Sequence, residues 1–166
     1  RVDPEADRRA ARTRLVDHYL HTAHAADRLI SPTRDEIPLP LAAPAPGAEP
    51  EPLADQDAAL AWLISEDAAL RAVVELDDAS LDTRIWQLVW SLYTMRKRQG
   101  DWHGLTSAGQ RALRAAERLG LPGAQATAYY FIALADTLLG RHEAADEHCR
   151  RALALYEQSG DLVGRA

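Results

Sequence analysis

Two stretches of this chain, "GDWHGLTSAGQRALRAAERLG" from Gly100 to Gly120 and "GRHEAADEHCRRALALYEQSG" from Gly140 to Gly160, begin and end on glycine at one constant spacing. Sliding the sequence by forty positions brings Gly100 onto Gly140, Arg111 onto Arg151, Ala112 onto Ala152, Leu113 onto Leu153, Glu117 onto Glu157 and Gly120 onto Gly160. Trp90 falls onto Tyr130 in the same register. Glycine just past a helical pattern is a stop signal, because it enters the left-handed region without a side-chain penalty. What recurs is therefore the set of residues that decides where helices stop and how closely they approach. The expectation is a helical hairpin used twice, with Ala112, Ala145 and Ala152 letting the two helices of a pair come close. Neither hairpin buries its apolar face alone, so the two should stack.

The rest of the chain reads as helix around one proline-rich interruption. Residues 1–30 form an N-terminal helix, with Leu15, Val16, Tyr19, Leu20, Ala23, Ala26 and Ile30 at helical spacing. Ser31-Pro32 ends it, since a residue before proline is pushed out of the helical region. Seven of the nine prolines lie between Pro32 and Pro52, so residues 31–54 run extended. Such a length is a linker, or a strap held down by Ile37, Leu39 and Leu41. Residues 55–80 read as one helix leading into the repeats, capped by Asp55, with Leu60, Leu63, Ile64, Leu70, Val73 and Val74 as its apolar stripe. The first repeat spans 81–120, with Asp82 as a cap, Ile85, Val89 and Leu92 among its apolar residues, and Asp101 capping the second helix. The second spans 121–160, and Pro122 sits where a first-turn proline is welcome. Residues 161–166 read as the start of a further unit.

Composition narrows the function classes. Ala and Leu dominate a hydrophobic content of 47%, aromatics are 6%, and no alternating β pattern persists, so the fold class is all-α. The net charge of −6 argues against direct nucleic-acid binding. One cysteine, Cys149, excludes an internal disulfide and fits a cytoplasmic setting. No apolar run reaches the ~18 residues of a membrane span.

The repeat resembles the tetratricopeptide repeat. The second copy carries the family's pattern as Tyr129, Ile132, Ala133, Gly140, Ala145, Ala152 and Leu153, and the first as Val89, Leu92, Tyr93, Gly100, Leu105, Ala112 and Leu113. Its spacing of forty departs from the family's usual ~34. The earlier segments "HYLHTAHAADRLISP" and "ALAWLISEDAALRAVVEL" are similar to the junction before the helical repeats in signal-transducing NTPase regulators of actinobacteria, including AfsR-like and SARP-type transcription activators. No GxxxxGK[ST] loop is present. The resemblance implies antiparallel hairpins stacked as a superhelix. Its concave groove would be lined by the first helix of each unit, through Gln87, Trp90, Thr94 and Lys97, then Thr127, Tyr130, Leu134 and Thr137. Two aromatics, one cation and several hydroxyls suit a protein or peptide partner, or another domain of the same parent chain.

Other candidates have plainer readings. His18, His21 and His24 step by three and two of them could ligate a metal, but no further ligand completes a set, so no metal is expected. Cys149 reads as a buried thiol. Met95 to Gln99, with Arg111, Arg114 and Arg118, forms the one basic concentration and reads as a solvated helix end or a surface for an acidic partner. No catalytic constellation and no cofactor site emerge. The expectation is a non-catalytic module of a larger transcriptional regulator that binds a protein or senses a ligand. The alternative is a stand-alone tetratricopeptide adaptor.

Overall fold

The computed structural model describes residues 4–160; the segment read as the start of a further unit, 161–166, lies outside the described residues. The fold is all-α, with no strand among those residues. Seven helices follow one another: α1 (Pro4–Ile30), α2 (Gln56–Ser65), α3 (Asp67–Val74), α4 (Asp82–Gln99), α5 (Trp102–Leu119), α6 (Pro122–Leu138) and α7 (His142–Ser159). A single 3-10 turn, Ala79–Leu81, leads into α4.

The glycine spacing is visible in the backbone. Gly100, Gly120, Gly140 and Gly160 all have left-handed φ, at 66°, 64°, 74° and 72°. A side chain there would cost conformational energy that glycine avoids. Shifting α5 by forty residues lands on α7 at both ends. Asp101 caps α5 by accepting the Gly104 N–H at 3.0 Å, and Asp55 caps α2 through the Ala58 N–H at 2.9 Å. Pro122 opens α6, where its missing donor costs nothing.

Successive helices pack on one another: α4 on α5, α5 on α6 and α6 on α7, with α1 against α4 and α2 against α1. Small residues make the close contacts. Ala112, Ala115 and Ala116 of α5 are buried, and Gly109 lies so near Ile132 that an added Cβ would sit 2.8 Å from its Cγ1. Ala145 and Ala152 are the buried residues of α7. The core runs from α1 (Val16, Leu20, Ala23) through α4 (Ile85, Leu88, Val89) to Phe131 of α6.

Residues 31–55 contain no helix and are laid across α1 and α4 as a strap. Buried Asp17 accepts the Ala45 N–H at 2.8 Å, and buried Thr22 accepts the Glu51 N–H at 2.9 Å. His18 Nδ1 donates to the Glu49 carbonyl at 2.6 Å, and Ile37 is buried. These side chains supply the partners that extended backbone lacks when it has no neighbouring strand.

Several expectations need correction. The single helix over 55–80 is two, broken at Glu66, where φ −92° and ψ 5° interrupt the spiral. Two buried sets lie on either side of the break, Trp62 and Leu63 on α2 and Leu70, Val73 and Val74 on α3, while Ile64 is 61% exposed. Leu15 is also exposed. Asp82 is no cap; it is buried, and it accepts from Arg118 at 2.6 and 2.7 Å and from Arg111 at 3.4 Å. Part of the basic concentration is tied up within the fold: Arg96, Arg111 and Arg118 form ion pairs. Arg96 is buried and donates to both Asp67 and Asp101 at 2.8 Å, Arg98 donates to the Ile30 carbonyl, and Arg111 donates to the Leu76 carbonyl at 2.6 Å. Burial opposes the charge of Asp101, yet hydrogen bonds from Arg71, the Gly104 N–H and Arg96 outweigh it and hold the pKa below the usual range. Cys149 is exposed, not in the core.

Candidate functional site

A cleft of about 420 Å³ opens between the strap and α4, α6 and α7. Its aromatic lining is Trp90 and Tyr93 from α4, Tyr130 and Phe131 from α6, and Tyr156 from α7. Helical spacing explains this wall: 90 and 93 lie three apart on one face of α4, and the forty-residue register puts 130 beside them on α6. The rings pack in a chain. Tyr93 stacks on Phe131 at 4.3 Å between centroids with an interplanar angle of 15°, and Tyr93 Oη donates to Tyr130 Oη at 3.4 Å. Burial, and then the hydrogen bond to Tyr130, push the Tyr93 hydroxyl pKa up, so it stays protonated.

One residue of the strap reaches into the wall. Arg34 lays its guanidinium 3.5 Å from the Trp90 ring centroid, and Nη1 donates to the Trp90 carbonyl at 2.9 Å. The same nitrogen lies 3.1 Å from both oxygens of buried Asp27, which Arg28 also contacts at 3.1 Å. Burial lowers the Arg34 pKa and Asp27 opposes that. His24 stacks over Trp90 from α1. Asp35 and Glu36, the next two residues of the strap, line the mouth of the cleft and are exposed.

The residues expected to line a groove divide into two groups. In the first copy Gln87 is buried and donates Nε2 to the Leu39 carbonyl at 2.9 Å and the Pro40 carbonyl at 3.3 Å. Trp90 lies under Arg34, Thr94 Oγ1 is 3.5 Å from the same guanidinium, and exposed Lys97 sits 5.9 Å from the Tyr93 ring. In the second copy Thr127 donates to the Gly123 carbonyl at 3.0 Å and lies 3.4 Å from Tyr156 Oη. Tyr130 is 45% exposed, Leu134 is half-buried, and exposed Thr137 bonds only back to the Ala133 carbonyl. Trp90, Thr127 and Tyr130 meet in the cleft; Gln87, Thr94, Lys97, Leu134 and Thr137 do not line it. Sequence reasoning missed Arg34, Asp35 and Glu36. Their signal was faint: a charged triplet inside a proline-rich run.

The three histidines of α1 do not converge on one point. His18 holds the strap, His24 stacks on Trp90, and His21 Nε2 is buried without a hydrogen-bond partner. Among the described residues no group of three or more His, Cys, Asp or Glu could hold a metal ion, and no helix is long and apolar enough to cross a membrane. A second depression, also about 420 Å³, lies against the start of α1 between Arg8, Arg9, Arg12 and Asp78. It has no aromatic wall, and Arg12 already lies 4.0 Å from Asp78, so the aromatic cleft is the stronger candidate.

Comparison with known proteins adds no assignment: no protein-family model, no curated protein and no solved structure matches the chain.

Proposed function

We propose that this chain is a non-catalytic binding module that holds a segment of a partner protein, or of another domain of its own parent, in the cleft between the strap and α4, α6 and α7. The glycine-ended helices of equal register support a tetratricopeptide-like stack, whose first helices would line a concave face. One observation carries the reading: Tyr130 is 45% exposed in a cleft where Trp90, Tyr93 and Phe131 are buried and Tyr156 is half-buried. A large ring left open among packed rings is the kind of anchor at which interface energy concentrates. The pattern "AWLISEDAALRAVV" ahead of the repeats supports placing the module in a larger transcriptional regulator of the AfsR/SARP type. The test is a peptide array probed with the wild-type protein and with Tyr130→Ala. Loss of one aromatic anchor should weaken the bound peptides by about tenfold or more. Equal binding by both proteins would refute the assignment.

A further inference from the structure

Half of the groove already has an occupant, and its chemistry indicates what the other half takes. In the first copy the strap is held in two ways. A guanidinium sits over a ring, Arg34 over Trp90 at 3.5 Å, and a side-chain amide reaches the extended backbone, Gln87 to the Leu39 and Pro40 carbonyls. The charge of Arg34 is met by Asp27. An extended, proline-bearing segment with one arginine is thus the ligand this surface binds within its own chain.

Forty residues on, the same surface is open. Tyr130 stands where Trp90 stands, and among the described residues no cation stacks on it. Two carboxylates, Asp35 and Glu36, line the cleft with it. The one guanidinium that lines the cleft, Arg34, is paired with Asp27, so the unpaired charges of the lining are the carboxylates of Asp35 and Glu36, while exposed Lys97 lies outside the lining, 5.9 Å from the Tyr93 ring. A tyrosine face in the same cleft as two exposed carboxylates suits a guanidinium. Its plane stacks on the ring while its fork meets the acids, and a lysine ammonium offers neither fit. Thr127, in the place of Gln87, spends its hydroxyl on the Gly123 carbonyl. Recognition in the second copy therefore falls on the arginine more than on the backbone.

We infer that the open half of the cleft binds an arginine-bearing extended segment of a partner protein, its guanidinium seated on Tyr130 and paired with Asp35 and Glu36. The inference rests on the binding-module reading above and names the ligand class for it.

Fluorescence anisotropy with a labelled Ala-Pro-Arg-Ala-Pro-Leu-Pro peptide tests it, set against the same peptide with lysine or with citrulline, which keeps the shape of arginine without its charge. The arginine peptide should bind about tenfold tighter than the citrulline one, with lysine between them. Tyr130→Ala should remove about tenfold, and Tyr130→Phe should keep the affinity. Asp35→Asn with Glu36→Gln, both on exposed residues, should lose about as much as Tyr130→Ala. Circular dichroism confirms that each variant is folded. Equal affinity for arginine and citrulline, with Tyr130→Ala weakening both, would overturn the inference and leave the binding module standing. If neither peptide binds, or Tyr130→Ala changes neither, both fall. A concentration-dependent dimer that Tyr130→Ala abolishes, and that excludes the peptide, would give the face to a second copy and overturn the inference.

Discussion

Replacing Asp82 with alanine should be among the most damaging single changes in this protein. Its carboxylate is 2% exposed and sits between two arginines. Arg118 grips it through two hydrogen bonds of 2.6 and 2.7 Å, but that side chain is 39% exposed. Water would re-solvate Arg118, so its share is small, about 0.2–1 kcal/mol. Arg111 is different. It is 1% exposed, its Nε has no partner, and without Asp82 it keeps only the Leu76 carbonyl. Stranding a buried charge by removing its partner costs about 3–5 kcal/mol. For a domain of this size that corresponds to a fall in Tm of about 6–20 °C. Urea unfolding followed by circular dichroism measures it directly. The control is Asp82→Leu with Arg111→Met, which removes both charges and fills the space. The Leu76 carbonyl then lacks its donor, at about 1–3 kcal/mol, but more than half of the loss should return. A cost below about 1 kcal/mol for Asp82→Ala, or a double variant no better than the single one, would refute the reasoning.

Two further expectations concern glycine and pH. Gly109→Ala should destabilise by about 1–2 kcal/mol: the Cβ would press on Ile132 Cγ1 at 2.8 Å, and the ~1 kcal/mol gain in helix propensity only partly offsets the overpacking. Gly123→Ala, in the first turn of α6 with nothing within 4 Å, should stabilise by about 0.4–1 kcal/mol, and the same urea titrations rank the two. His21 and His24 both have pKa values lowered from 6.5 by burial. The unfolded chain therefore binds more protons than the folded one just below that value, so their contribution is present above about 6.5 and is lost as pH falls through the folded pKa values. Tm should drop on that side, and His21→Gln with His24→Gln should flatten the profile; an unchanged slope would assign the dependence elsewhere.

What could be read from the residues alone follows a physical division. Helix ends were legible because their chemistry is local. A left-handed glycine, an Asp three residues before the N–H it caps, or a proline in the first turn acts within a few positions of itself. Tertiary roles of charge were not. Asp82 looks like a cap until its partners, 29 and 36 residues away, are known, and Arg96 and Arg111 look like surface cations for the same reason. Cys149 and Ala152 lie one turn apart on α7, yet only Ala152 is buried. Burial on that helix depends on how far α6 reaches across it, which no pattern within the helix records. Of the candidate site, Trp90, Thr127 and Tyr130 were named through the tetratricopeptide resemblance, which sets first-helix residues on a groove. Arg34, Asp35 and Glu36 were not, since proline-rich sequence says that a segment is extended without saying where it lies.

The strap also decides how this molecule can yield. A helix pair closes many bonds together and opens as a unit, but an extended ribbon latched at Asp17, His18, Thr22 and Gln87 has separate fastenings, each able to release without the next. Loosening should therefore come by degrees along residues 31–55, like a seam giving way stitch by stitch, while the glycine-ended pairs behind it stay whole until they fail at once.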